Sequence, residues 1–102
     1  MLEYLKNHII EELDGAVEYW EKALELKGTE EGYWFKQMAD MELEHANCLN
    51  QMFHKADKKE ENASKISTTT VVKPINNMYK EILDAYTESM NKIQAMKKMY
   101  YK

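Results

Sequence analysis

The stretch FKQMADMELEHANCLNQMFHKA (Phe35–Ala56) decides how this chain folds. Stepping through it alternately by three and four selects Phe35, Met38, Glu42, His45, Leu49, Met52 and Ala56, the stripe that an α-helix turns toward a core. A carboxylate and an imidazole interrupt that stripe at its middle. Glu42 and His45 are three apart, so they stand one turn apart on a single face. An ionised carboxylate on such a face is costly unless it is paired or holds a metal.

Toward the N-terminus the same step selects Leu2, Leu5, Ile9, Glu12, Ala16, Tyr19, Ala23 and Leu26, again with one carboxylate midway. An adjoining seam through Ile10, Leu13, Val17, Trp20 and Leu24 means that this helix touches more than one neighbour. Between the two stretches, Lys27-Gly28-Thr29 supplies a basic last turn, a glycine stop and a threonine N-cap, with Glu30 and Glu31 at the positive end of the next helix. The expected element is a tight antiparallel hairpin over about residues 2–56. At about 1.5 Å per residue from the shared turn, Glu12 stands about 24 Å away and Glu42 and His45 about 21 and 26 Å away, so the three meet at one height.

Toward the C-terminus, residues from about Asp57 to Lys73 carry no helical stripe, and Ser67-Thr68-Thr69-Thr70-Val71-Val72 has poor helix propensity. This part reads as a linker over about 57–73. Pro74 suits the first position of a third helix, to about residue 101, where its missing amide costs nothing. Ile75, Tyr79, Ile82, Tyr86, Ile93, Met96 and Tyr100 form its stripe, and Glu81, Asp84 and Glu88 lie off it as solvated charge.

The composition agrees. A chain of 102 residues, 44% hydrophobic and 31% charged, with 3 Gly and 1 Pro, is one domain (1–102) of long amphipathic helices and so all-α. A formal net charge of -4 offers no basic footprint for nucleic acid or an anionic membrane. The opening MLEYLKNHIIEELDG breaks its apolar run with acids, reading as neither signal peptide nor membrane span, and a cytoplasmic protein is expected. The lone Cys48 falls on an apolar helical face, where a thiol serves as a small core residue.

Carboxylates and imidazole suit iron, manganese or zinc. Di-iron four-helix bundles draw one Glu from each of two helices and Glu-x-x-His from each of the other two. Glu12 with Glu42 and His45 is half of that set. The plainer alternatives are a buried Glu12–His45 pair that fixes helix register, or a slightly rotated seam that leaves Glu12 wet.

Ala39-Asp40-Met41-Glu42-Leu43-Glu44-His45-Ala46 followed by Leu49 resembles the second-helix signature of rubrerythrins and other ferritin-like proteins. Glu11-Glu12-Leu13-Asp14, with Tyr19 seven residues beyond Glu12 and about thirty residues from Glu12 to Glu42, is similar to the encapsulated ferritins, which are half-ferritins. The resemblance covers roughly Leu5 to Phe53. It implies metal ligands at Glu12, Glu42 and His45, which would also be the catalytic residues, a supporting role for Tyr19, and a subsidiary metal-entry site at Glu11 and Asp14. It further implies a homodimer or higher homo-oligomer, a di-iron centre across the interface, and an encapsulin compartment as a destination, although the closing Met99-Tyr100-Tyr101-Lys102 matches no shell-targeting tail.

The reading is therefore an all-α, ferritin-like hairpin with a third C-terminal helix, completing a four-helix bundle by dimerisation. Its function would be oxidation of Fe(II) to Fe(III) by oxygen or peroxide, with manganese or zinc as possible substitutes for iron. The seam through Leu13, Val17 and Trp20 would add dimer surface, with the third helix outside or bridging subunits. The alternatives are a rubrerythrin-like peroxide reductase, whose customary rubredoxin-type iron site needs four cysteines where this chain has one, and a non-enzymatic helical assembly module.

Overall fold

The first helix in sequence is the middle one in space. The computed structural model describes residues 1–66 and 74–102, with side chains at 1–59 and 76–102. Helix α1 spans Leu2–Glu25, α2 Glu30–Ile66 and α3 Pro74–Tyr100, and the described residues contain no strand. None of these helices is long and apolar enough to cross a membrane. Helix α1 packs along both α2 and α3, which touch each other more lightly. Both of its seams are used: Leu2, Leu5, Ile9, Leu13, Ala16, Val17, Trp20 and Ala23 are all buried.

The turn follows the chemistry of Lys27-Gly28-Thr29. Gly28 sits at φ 87, the left-handed conformation that ends helices and that glycine adopts without steric cost. The Thr29 hydroxyl accepts from the Gly32 amide at 3.0 Å and donates to the Leu26 carbonyl at 2.6 Å. One side chain thereby caps α2 and ties it to the end of α1.

Helix α2 meets the core through small residues. Ala39 and Ala46 are fully buried, and Phe53 is the large buried side chain one further heptad along. With only methyl groups at two successive contacts, α2 lies close against α1. This corrects the expected stripe. The line facing the core runs one residue beyond Met38, His45 and Met52, a rotation of about 100°, and those three side chains are exposed. Phe35, Leu43, Leu49 and Ala56 are shared between the two faces as half-buried residues. Cys48, expected in the core, is exposed, because it lies nine residues from Ala39 and so on the opposite side of the helix.

The second seam of α1 is not left for a partner. Helix α3 covers it, placing Ile82 and Ile93 among the buried residues of two clusters that include Leu13, Val17 and Trp20. The Trp20 ring meets Tyr100 edge-on at 5.6 Å. Lys6 reaches across α1 to Glu81 of α3 at 2.6 Å and to Glu3 at 2.9 Å, and these two bonds, that to Glu81 first, hold its ammonium above the ordinary lysine value. Tyr86 donates to Asn47 Oδ1 at 2.9 Å, and Lys27 donates to the Met99 and Lys102 carbonyls. Glu81, Asp84 and Glu88 are exposed, as expected.

Helix α2 extends ten residues past the expected end at Ala56. Lys, Glu and Ala in this segment favour helix without needing an apolar stripe, so a search for stripes misses it. The remainder of the expected linker, residues 67–73, lies outside the described residues.

Candidate metal centre

Glu12 from α1 and Glu42 and His45 from α2 converge on the side of the hairpin away from α3. One donor atom from each lies within 4.8 Å of the other two. His45 Nδ1 stands 3.3 Å from Glu12 Oε2. The geometry follows from the packing below it: Ala39 and Ala46 straddle Glu42 by three and four residues and are buried in the two core clusters, while Leu43 packs against both clusters.

Polarity varies across the group. The Glu12 side chain is 20% exposed and that of His45 58% exposed, with Glu42 partly buried. The Glu42 carboxyl is raised from 4.5 to about 7, first by its hydrogen bond with Glu12, then by burial and by the Glu12 charge, with His45 pulling the other way. The proton that Glu42 retains up to about pH 7 lies in its hydrogen bond with Glu12, and a cation in its place would relieve the repulsion between the two carboxylates. The group could hold a divalent ion, because two carboxylate oxygens and an imidazole nitrogen are donors that iron, manganese and zinc accept.

The Glu12–His45 pair does form, but with His45 largely in solvent it is not the buried register pin that was the plainer alternative. Tyr19 is half-buried with its ring 6.0 Å from Phe35, and it makes no hydrogen bond to the three donors among the described residues. Glu11 and Asp14 are exposed and do not join the group. Glu11 lies 4.0 Å from His8 Nδ1, and Asp14 lines a shallow cavity between α1 and α3 with Glu88, Ser89 and Lys92. One residue at the centre escaped the reading of the sequence. Gly15 closes the α1 side beside Glu42, and its one signal was a glycine in the middle of a well-formed helix.

The model of one protein family, Rubrerythrin, matches residues 3–102. No curated protein and no solved structure matches the chain.

Proposed function

Since the chain belongs to the rubrerythrin family, we propose that it is a ferritin-like iron protein that oxidises Fe(II) to Fe(III) at a di-iron centre built by two copies of the chain. The observation that carries this reading is the convergence of Glu12, Glu42 and His45, with the Glu42 carboxyl pushed up to about 7 chiefly by its hydrogen bond with Glu12. Iron bound there supplies electrons, one per ion, to dioxygen or a peroxide. The protein's part is to hold two hard oxygen donors and one imidazole per chain at the junction of two packed helices, and to surrender the Glu42 proton as the ion binds. The second reading is a rubrerythrin-like peroxide reductase, and comparing dioxygen with peroxide as oxidants of the Fe(II)-loaded protein separates the two.

The partner follows from what one chain lacks. Two carboxylates and one imidazole are too few for two irons, whereas an isologous dimer offers four carboxylates and two imidazoles from four helices. The face beside the donors fits that role. Trp34, Met41 and Met52 are 56%, 53% and 52% exposed, and by helical spacing they share the side of α2 that carries His45. Anaerobic Fe(II) titration followed by oxidant is the test. The parent binds one iron per chain and oxidises it, while Glu42→Ala and His45→Ala lose stoichiometric binding and keep their helical circular dichroism. Variants that bind iron like the parent would show the assignment to be wrong.

A further inference from the structure

Gly15 stands where α1 has no backbone reason for a glycine. Its φ is not positive, Gly28 alone having that property among the described glycines, and a glycine inside a helix is less favourable than alanine. The group nearest the space its missing side chain leaves is the Glu42 carboxyl. A Cβ at Gly15 would come 3.1 Å from Glu42 Oε2, 3.6 Å from Cδ and 3.8 Å from Cγ, and these are its three nearest neighbours. The contact is with the carboxyl end of a flexible side chain and not with backbone, so a methyl group there moves the carboxylate before it moves a helix.

We propose that Gly15 is a positioning residue for the metal centre, setting the room in which the Glu42 carboxylate meets Glu12 and the ion. The inference rests on the metal reading above. A methyl group at this position pushes Glu42 away from α1 by a few tenths of an ångström or into another rotamer, spoiling its alignment with Glu12, while α1 itself gains helix propensity. Metal affinity and fold stability then move in opposite directions, which a simple packing defect cannot produce.

The test uses the full chain with Co(II) as probe, followed by isothermal titration calorimetry, and thermal melting of the metal-free protein. Gly15→Ala binds Co(II) about tenfold more weakly or worse, the size of loss that follows when a ligand's support is disturbed. In the Glu42→Ala background, where the carboxyl group nearest the methyl is gone, the same substitution raises the melting midpoint by about 4 °C, more than it does in the parent. Parent-like affinity in Gly15→Ala overturns the proposal. Equal midpoint changes in the two backgrounds, or a lower midpoint in both, overturn it as well, because the Glu42 contact is then not what the glycine serves. A parent that binds no Co(II) overturns the metal reading, and with it any role for Gly15 there, whereas a parent that binds normally beside an unaffected Gly15→Ala variant sinks only the glycine.

Discussion

Replacing Glu42 by glutamine stabilises the metal-free protein at alkaline pH and leaves it unchanged in acid. The folded chain holds the Glu42 proton at about 7 against an ordinary value of 4.5, so it binds more protons than the unfolded chain throughout that window. Stability therefore falls as pH rises from 4.5 to about 7, and the full cost stands above pH 7. At 1.36 kcal/mol per pKa unit the ceiling is about 3 kcal/mol. The site opens to water on the His45 side, and solvent screening brings the figure to about 1–2 kcal/mol. Glutamine cannot ionise, and its amide can donate to the Glu12 carboxylate that repels the native side chain. With a chelator present and protein concentration fixed, the Glu42→Gln midpoint at pH 8 should exceed the parent's by about 5 °C or more for a chain of this size. The two midpoints should converge as pH approaches 4.5. A difference independent of pH, or a variant less stable than the parent at pH 8, would refute the picture of two carboxylates sharing one proton.

Glu11→Ala and Asp14→Ala should retain the parent's iron stoichiometry and slow its uptake by about twofold to tenfold, since exposed acids outside the donor group act by attracting cations; stopped-flow iron oxidation reads this, and a loss of bound iron as large as in Glu12→Ala would contradict it. Met38→Lys combined with Met52→Lys should push light-scattering mass toward the monomer and weaken iron binding together, while Fe(II) drives the parent toward the dimer or larger species by mass action. A monomeric parent that fills with iron would remove the case for a shared centre.

The hairpin and the height of its three donors could be read from residues alone, because both depend on short-range rules. Gly28 and Thr29 mark the turn, and a fixed rise per residue levels Glu12 with Glu42 and His45. What faces what was harder. Helix α2 carries apolar side chains around much of its circumference, and two of its fully buried residues are Ala39 and Ala46, which contribute little to a hydrophobic stripe beside Met38 and Met52. The larger residues drew the expected core line one position off. The fate of Leu13, Val17 and Trp20 depended on whether α3 folds back, a tertiary outcome that nothing local to α1 encodes. Gly15 carries no local mark beyond its place inside a helix, because its importance lies in the space it leaves, and the Glu42 carboxyl reaches that space only through the packing of α2 on α1.

The methyl contacts at Ala39 and Ala46 have a consequence for which ions the centre accepts. The carboxylates of Glu12 and Glu42 hang from two packed helices, so the core limits how far apart their side chains can reach. A site limited in that way, with two carboxylates and an imidazole per chain, would penalise an ion that needs more oxygens, such as calcium with its six to eight oxygen ligands at about 2.3–2.6 Å, and would suit one content with fewer donors and an imidazole among them. Selectivity is in that sense a property of two alanines that touch no ion. A larger residue at either place would move the two helices apart with every donor atom still present.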